Sequence, residues 1–435
     1  METSAAPAIT VTAWPGCVPR LLGDEPGRAR EAYATYRARG GYQALAAPDA
    51  LLDDVERSGL QGRGGAAFPL AVKARAVRDN GRAGRGAVVV ANGEEGEPAS
   101  IKDRWLLRHR PHLVLDGLRL AAAMVGTHRA HVYVSDPESA RSVETALAEL
   151  ESGALGDLTV ELWDVEPTYI AGEETALTRF INGGPATPTD KPPRPFESGV
   201  GGRPTLVSNV ETLANLPYLQ RHGSAEFRSL GTSLSPGTFL ATLTGGSRQA
   251  GLYEIPYGLP FTELLALQSI SPERVRGALL GGYFAGLLNR GVLDVTLDHE
   301  TLRGLGSGLG CGAIAVITDD CPVAVAASVL AYFDRENAGQ CGSCFNGTAA
   351  MAAVTGALRD GAAGAEDLGR LQRWSVTLRG RGACATLDAA TNVAASLLDQ
   401  FPGEVAHHLD NACETCGVDP FRAERPYEVE AVHSA

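Results

Sequence analysis

The order of apolar segments in the first half of the chain constrains its fold most. Residues 87–93 (AVVVANG), 129–135 (RAHVYVS) and 158–165 (LTVELWDV) read as strands, and residues 103–126 and 137–151 between them have helical spacing. Strands that alternate with helices favour a parallel sheet covered by helices. We therefore predict an α/β fold, with residues 103–126 forming one long helix.

The remaining segments differ in character. Residues 26–60 have helical spacing, and from residue 236 short strand-like segments with one helix indicate a small α+β module. From Pro322 to Phe401 the apolar residues again follow helical spacing, which predicts a helical bundle. The last thirty residues are polar and read as a tail that carries one CxxC pair.

Charge and hydropathy exclude two classes of partner. The chain has 38 Lys and Arg against 51 Asp and Glu, a net charge of −13, which opposes binding to nucleic acid. No apolar run reaches the roughly 20 residues of a membrane helix, and the first residues lack the features of a signal peptide. We expect a cytoplasmic protein without direct membrane insertion, docked on a membrane complex through another subunit.

A glycine-rich loop at residues 62–69 (GRGGAAFP) precedes a helix-like segment. Glycines at such a position let backbone N–H groups approach a phosphate, and Arg63 or Lys73 would add positive charge. Only three of the basic residues are lysines: Lys73, Lys102 and Lys191. Unless these three lysines were retained by chance, their positions require a compact ammonium group in place of a guanidinium group. An ordinary surface loop is the alternative interpretation of the glycines.

Two acidic clusters follow predicted elements. Glu94, Glu95 and Glu97 come directly after a strand, where α/β proteins place ligand-binding residues. Their carboxylates are suited to accept hydrogen bonds from ribityl or ribose hydroxyls or a flavin ring N–H, although a magnesium site or a solvated acidic turn fits the same pattern. Glu173 and Glu174 begin a helix, where they would also complement the helix dipole.

Taken together, six motifs in the same order resemble the family of FMN- and NADH-binding flavoprotein subunits of respiratory complex I, the NADH-quinone oxidoreductase. The resemblance extends from about residue 34 to residue 402, and the sequence reads as a divergent paralogue. The motifs are GGYQAL (40–45), SGLQGRGGAAFPLAVK (58–73), ANGEEGEPASIKDR (91–104), YIAGEETAL (169–177), TDKPPRPFESGVGGRPTLVSNVETLANLP (189–217) and ENAGQCGSCFNG (336–347).

The resemblance implies a domain order and a function. In this family hydride passes from NADH to FMN, and single electrons leave through a [4Fe–4S] cluster to a partner such as a ferredoxin-like subunit. A non-catalytic flavoprotein or docking module derived from the family is the alternative. The implied regions are an N-terminal helical segment (1–60), a Rossmann-like FMN- and nucleotide-binding domain (61–235), a β-grasp module of the soluble-ligand-binding type (236–322), a helical iron–sulfur domain (323–405) and a cysteine-containing tail (406–435).

The resemblance also implies the residues of the cofactor sites. The predicted flavin residues are Gly62, Arg63, Gly64, Gly65, Phe68, Lys73, Asn92, Glu94, Gly172, Glu173, Glu174, Thr175, Asn209 and Thr212. The predicted residues on the nucleotide side are Glu95, Glu97 and Lys191.

Three departures from the family pattern affect these sites. Ala67 stands where the family has glycine, and Ala76 and Arg194 stand where it has phenylalanines that are expected to stack on the adenine of NADH. Each stack contributes about 0.5–1.5 kcal/mol beyond burial. We therefore expect weak binding of NADH.

The metal motif departs as well. The family pattern C-x-x-C-x-x-C reads Ala338, Cys341, Cys344 here, followed by the distant Cys384, so one of four thiolates is missing. We predict that Cys413, or failing it Cys416, completes the cluster. A structural zinc ion held by the two CxxC pairs, or no metal, are the alternatives. The other cysteines, Cys17, Cys311 and Cys321, read as inert small apolar residues.

Overall fold

The structure, a computed structural model, describes residues 9–24, 29–45, 47–84, 86–410 and 413–430. Within these ranges the chain has a mixed α/β fold with twelve strands and seventeen α-helices. The N-terminal part contains β1 (Thr10–Ala13), α1 (Tyr33–Ala38) and α2 (Pro48–Ser58). It is followed by α3 (Leu70–Arg82), β2 (Val88–Asn92), α4 (Lys102–His109), α5 (Pro111–Val125), β3 (Arg129–Val134), α6 (Pro137–Glu149), β4 (Thr159–Asp164), α7 (Glu174–Ile181), β5 (Thr205–Asn209), α8 (Val210–Ala214) and α9 (Leu216–Phe227).

The second half of the chain begins with strands and ends with helices. It contains β6 (Thr238–Gly245), β7 (Gly251–Pro256), β8 (Leu259–Pro260), α10 (Phe261–Ala266), β9 (Gly277–Leu280), β10 (Leu287–Asn289), β11 (Thr296–Leu297), α11 (His299–Gly304) and β12 (Ala313–Ile317). The last elements are α12 (Pro322–Glu336), α13 (Gly342–Arg359), α14 (Ala365–Thr377), α15 (Thr386–Gln400), α16 (Pro402–Asp410) and α17 (Glu414–Val418).

Four strands form the parallel sheet that the sequence predicts, in the order β4-β3-β2-β5. All three pairings are parallel, so every strand ends at the same edge. β3 and β4 lie on one side of β2, whereas β5 lies on its other side. The strand order therefore reverses between β2 and β5. Such a switch point opens a crevice at the carboxyl ends of the strands, where α/β proteins bind ligands. Asn92 and Asn209, the last residues of β2 and β5, lie side by side there.

The predicted long helix over residues 103–126 is two helices, so this prediction is wrong. α4 ends at His109 and α5 begins at Pro111, with Arg110 between them at φ −128° and ψ 48°. The proline ring clashes with a helical conformation of the preceding residue, and this interrupts the helix although the apolar spacing continues.

A second, mixed sheet has the strand order β1-β7-β6-β12-β9-β10. Its edge strand β1 comes from the N-terminal segment and pairs in parallel with β7. We predicted a helical segment there, and this strand is a departure from that prediction. The fully buried carboxylate of Glu254 on β7 fixes the residues that follow β1. It accepts hydrogen bonds from the backbone N–H groups of Arg20, Leu21 and Leu22 at 2.9–3.0 Å.

The predicted C-terminal helices are present, with α12 packed against α13 and α15. The described residues 413–430 do not form a free polar tail, because they return across the molecule. Ser328 donates to the carbonyl of Phe421 at 3.2 Å, and the N–H of Val429 donates to the carbonyl of Pro98 at 3.1 Å. Among the described residues, no helix combines the length and apolar character needed to span a bilayer.

Candidate functional site

The glycine-rich loop lies at the switch point of the parallel sheet. The N–H of Arg63 donates to the hydroxyl of Thr212 on α8 at 2.8 Å, and a Cβ on Gly64 would lie 3.1 Å from the Cβ of Asn209. These contacts hold the loop against the end of β5. Gly64 and Gly65 are exposed, so the loop presents its backbone to the crevice and to solvent.

Two residues of this loop have left-handed backbone conformations. Gly65 has φ 118° and Ala67 has φ 50°. A residue with a Cβ is strained in this region by roughly 1–2 kcal/mol. Ala67, which replaces a glycine of the family pattern, therefore adopts the conformation that glycine favours. Phe68 next to it is 53% exposed.

The side chain of Arg63 does not point into the crevice. Its guanidinium group is buried over the ring of Tyr257, 4.5 Å from the ring centroid, and donates to the carbonyl of Thr238 at 3.1 Å. Tyr257 and Thr238 belong to the region of the mixed sheet. The predicted flavin residue Arg63 thus fixes the glycine loop to the second sheet, while its backbone remains part of the loop.

The end of β2 and the start of α7 meet at the crevice. Asn92 donates from Nδ2 to the carbonyl of Gly172 at 2.8 Å, and a Cβ on Gly172 would lie only 2.3 Å from Oε2 of Glu94. A larger residue at position 172 would displace the carboxyl group of Glu94 from this place. Burial, together with the charge of Glu95, raises the pKa of Glu94 to about 8. A neutral carboxyl at this position can donate a hydrogen bond as well as accept one.

Glu95 and Glu97 face the interior of the protein. Glu95 accepts hydrogen bonds from the backbone N–H groups of Asp103 and Arg104 at 3.2 and 3.0 Å, so it caps the start of α4. Glu97 accepts from the N–H of Tyr283 at 3.0 Å, and burial raises its pKa to about 8. Their assignment to the nucleotide stays a prediction. In the structure their contacts hold the start of α4 and the backbone of Tyr283 in place.

A cluster of opposite charges stands at the start of α7. Lys73 Nζ lies 3.0 Å from Glu174 Oε2, and Lys191 Nζ lies 2.6 Å from Glu173 Oε1. Burial opposes the ionisation of Glu174, but Lys73, Lys191 and Arg194 outweigh it and lower its pKa. The structure thus brings four predicted residues from three segments together.

Glu173 and Thr175 also organise this corner of the site. Glu173 caps α7 by accepting from the N–H of Thr175 at 2.8 Å. The hydroxyl of Thr175 accepts from the N–H of Thr189 at 3.0 Å, which fixes the proline-rich loop to the helix. The predicted place of Glu173 at the start of a helix is therefore confirmed, and its side chain caps that helix.

The third lysine was not predicted as a site residue. Lys102 is fully buried, with Nζ 2.7 Å from Asp103 and 3.1 Å from Glu211. Burial alone would lower its pKa, but the two carboxylates raise it above its ordinary value. Asn209 joins this network by donating to Asp103 at 2.7 Å and accepting from Lys102 at 3.3 Å. Lys102 therefore supports the floor of the crevice. The sequence indicated its importance only by the presence of a lysine in a chain that has three of them.

Three cysteines of the metal motif line one cavity of about 470 Å³, which we call the cysteine cavity. Burial raises the pKa of the Cys344 thiol to about 12, and Cys384 and Cys341 add to the rise. Ala338 is also part of the wall, so the position of the missing thiolate faces the same space. The lining residues are Arg179, Pro188, Thr189, Asp190, Ala338, Gly339, Gln340, Cys341, Cys344, Gly382, Ala383 and Cys384.

The structure places Cys413 elsewhere, which corrects its assignment to this cavity. Its sulfur lies within 4.8 Å of ligand atoms of Cys321, His408 and Cys416. The helix α16 directs the chain towards Cys321 at the start of α12, and the second CxxC pair is therefore separated from the first. The alternative of one zinc ion between the two CxxC pairs fails for the same reason, and Cys321 is not an isolated apolar residue.

The crevice and the cavity fit the cofactors that the sequence analysis implies. Exposed glycine backbone, the start of α3 and the ammonium of Lys73 suit a phosphate, and Asn92 with the buried Glu94 supplies polar groups for a ring. In the cysteine cavity three thiolates suit a [4Fe–4S] cluster, one fewer than the usual four. Asp190 offers a carboxylate on the same wall.

Comparison with known proteins agrees with this arrangement. The Nuo51 FMN-binding domain family matches residues 55–218, and the iron–sulfur binding region of NADH-ubiquinone oxidoreductase-F matches residues 324–408. The sequence is 34% identical over 398 residues to the F 2 subunit of NADH-quinone oxidoreductase of Rhizobium meliloti, covering 87% of this chain and 94% of that one. It is 32% identical over 401 residues to NADP-reducing hydrogenase subunit HndC of Solidesulfovibrio fructosivorans, covering 88% and 81%.

A solved structure shares the fold. The NAD⁺-reducing [NiFe]-hydrogenase in its air-oxidized state superposes with a TM-score of 0.77 and 31% sequence identity. The match covers 84% of this chain and 63% of the hydrogenase chain, so this chain spans less than two thirds of that one.

Fold, site and matched regions define an FMN-dependent oxidoreductase that transfers electrons to an iron–sulfur cluster. The protein belongs to the family of F subunits of NADH-quinone oxidoreductase.

Proposed function

We propose that this chain is the flavin-reducing subunit of a multi-subunit complex. It takes electrons from a reduced nicotinamide at FMN in the strand-end crevice and passes them through the cysteine cavity to a partner subunit. The observation that supports this most directly is the loop at residues 188–191. Lys191 pairs with Glu173 at the crevice, while its neighbour Asp190 lines the cysteine cavity. Adjacent residues are about 3.8 Å apart, so the two sites are close neighbours.

The regions of the chain follow from this proposal. Residues 61–235 form the Rossmann-like FMN- and nucleotide-binding domain, residues 236–322 the β-grasp module, and residues 323–405 the helical domain that holds the cluster. The mixed sheet with α10 beside it and the packing of α12 on α13 and α15 are consistent with the second and third assignments.

Each group at the crevice has a task that its surroundings support. When bound, FMN accepts two electrons together and releases them singly. Lys73 and the start of α3 attract negative charge. Burial raises the pKa of Glu94 to about 8, so its carboxyl group would be available at neutral pH to donate a hydrogen bond to a bound ligand. Gly172 leaves room for that carboxyl group, and Phe68 offers an exposed ring against which an aromatic ligand can stack.

In the cysteine cavity, Cys341, Cys344 and Cys384 would hold the cluster, which supplies one-electron transfer when it is bound. Asp190 or solvent would take the fourth position, since residue 338 offers no thiolate. A ferredoxin-like subunit is the expected acceptor, and the relatives that are named as subunits of larger enzymes favour a peripheral place in such a complex.

The test is anaerobic addition of NADH, and separately NADPH, to purified protein while flavin absorbance is followed. We expect FMN to be released on acid denaturation, and one nicotinamide to bleach the bound flavin. Flavin-free protein that takes up no added FMN would contradict the proposal. FMN that binds but is bleached by neither nicotinamide would favour the non-catalytic alternative, which Ala76 and Arg194 support.

A pair of substitutions locates the nucleotide. Ala76→Phe combined with Arg194→Phe should tighten NADH binding by roughly ten- to a hundredfold, if each ring restores about 1 kcal/mol of stacking. Val376→Phe is the control, since Val376 is 71% exposed on α14, a helix that carries none of the predicted nucleotide residues. An equal gain in the control would show that the added ring acts unspecifically.

A further inference from the structure

Four potential metal ligands meet where the chain's last two helices reach the start of α12. Cys321, His408, Cys413 and Cys416 place their ligand atoms within 4.8 Å of one another. The sulfurs of Cys321 and Cys416 each lie 3.5 Å from Nε2 of His408. None of these residues lines the cysteine cavity.

The distances match a single tetrahedral ion. Zinc bonds of about 2.3 Å to sulfur and about 2.0–2.1 Å to nitrogen give tetrahedron edges of about 3.6 Å between sulfur and nitrogen. The two sulfur-to-nitrogen distances of 3.5 Å are close to this value. Ligands of an iron–sulfur cluster bind different iron atoms and therefore stand farther apart than ligands of one ion. The geometry thus favours a mononuclear site.

The surroundings are those of a closed structural site. Cys321 is 1% exposed, His408 2% and Cys413 8%, and Cys416 is partly buried, so four protein ligands leave no open position. Nδ1 of His408 lies 2.7 Å from the carbonyl of Glu404. This carbonyl accepts the proton of Nδ1 and leaves the lone pair of Nε2 free for a metal, as an outer partner of a ligating histidine does.

We propose that Cys321, His408, Cys413 and Cys416 bind one structural Zn²⁺ ion. Three thiolates and one imidazole form a soft set of four donors, which suits zinc among the common divalent ions. Binding replaces the thiol protons by bonds to the metal and involves no change of oxidation state. The site is separate from the iron–sulfur cluster and does not depend on the proposed electron transfer.

The ion holds the end of the chain in place. Cys413 and Cys416 belong to the start of α17, whereas Cys321 immediately precedes α12, so the metal joins the two helices. Beyond α17 the chain crosses α12 and reaches the acidic loop through the hydrogen bond from Val429 to Pro98. It also covers Tyr283, whose hydroxyl donates to the carbonyl of Pro426 and whose N–H donates to Glu97. Loss of the ion should therefore release residues 413–430 from the molecule.

The experiment measures metal content and tail accessibility in the full-length protein. Protein produced with zinc and iron both supplied is expected to hold about one zinc per chain in addition to its iron. Cys416→Ser and His408→Gln should lower zinc to less than a fifth of the parent value and leave iron unchanged, and Cys17→Ser is the matched control that should change neither. Removal of zinc by a chelator should speed trypsin cleavage after Arg422 at least tenfold.

A second measurement does not depend on the folding of variants. Parent protein loaded with Co²⁺ after zinc removal should show the visible bands of tetrahedral cobalt and a thiolate-to-cobalt charge-transfer band. Zinc-free parent protein, zinc content unchanged in both ligand variants, or a six-coordinate cobalt spectrum would each overturn the proposal. Iron lost in parallel with zinc in Cys416→Ser and His408→Gln would assign these residues to the cluster and would overturn it as well.

Discussion

Lys73 on α3 and Glu174 at the start of α7 form an ion pair of 3.0 Å that bridges two motifs a hundred residues apart in the sequence. The pair lies beside the glycine loop, where the phosphate of FMN is proposed to bind. Lys73→Met removes the charge and should weaken FMN binding by roughly ten- to a hundredfold, because a hydrogen bond to a charged group contributes about 1.5–3 kcal/mol. Fluorescence titration with FMN measures this. Arg75→Met, on the same helix, is the control, and an equal loss there would remove Lys73 from the site.

Ala67 offers a test of the strain in the glycine loop. Its left-handed conformation (φ 50°) should make Ala67→Gly more stable than the parent by up to about 1 kcal/mol, in spite of the added freedom of the unfolded chain. Ala67→Val should destabilise the protein instead, since a β-branched residue tolerates this region least. Chemical denaturation compares the three proteins. A less stable Ala67→Gly protein would show that the methyl group has a packing role.

The buried carboxyl groups of Glu94 and Glu97 predict the pH dependence of stability. Their pKa values rise from 4.5 to about 8 on folding, so the folded protein retains protons that the unfolded chain has lost. Their contribution is fully present below pH 4.5 and declines as pH rises through about 8, by at most about 1.4 kcal/mol per pH unit for each group. Denaturation between pH 5 and 8 should show a shallower decline in Glu94→Gln. Glu366→Gln, at a side chain 90% exposed, should leave the slope unchanged.

The missing fourth thiolate predicts a labile cluster. In the parent, aerobic exposure should remove iron readily, because only three cysteines line the cavity. Ala338→Cys restores a thiolate at the cavity wall and should slow the loss of iron at least severalfold, with a sharpened EPR signal of the reduced cluster. Ala338→Ser is the control of equal size. Identical iron retention in all three proteins would show that another group already completes the ligation.

The features that depend on the local sequence pattern could be predicted from the sequence. The strand β2 is a run of apolar residues, β3 and β4 contain them at intervals, and the acidic motif directly follows β2, where α/β proteins place ligand-binding residues. Side-chain direction was not predictable in the same way. Arg63 belongs to the glycine loop, yet its guanidinium group turns to Tyr257, because a cation and a ring from the other sheet are available there.

Contacts between distant parts of the chain account for the other differences. Cys321 and His408 are 87 residues apart, and only the spacing His408-x₄-Cys413-x₂-Cys416 gave a local sign of a metal site. The helix break at Arg110 was visible in principle from Pro111, but the continuous apolar spacing outweighed it. β1 has four residues and no distinctive pattern, and its strand conformation depends on pairing with β7.

This last pairing limits how the protein can be divided. The short strand β1 forms the edge of the mixed sheet, and β7 is therefore paired on both sides, with β1 and with β6. A fragment that begins after residue 60 would leave one side of β7 with a row of unpaired N–H and C=O groups, and Glu254 without the N–H groups of Arg20, Leu21 and Leu22. Such an edge recruits strands from other molecules. Residues 10–22 thus protect a sheet encoded much later from self-association, and the glycine loop, attached to that sheet through Arg63, depends on them as well.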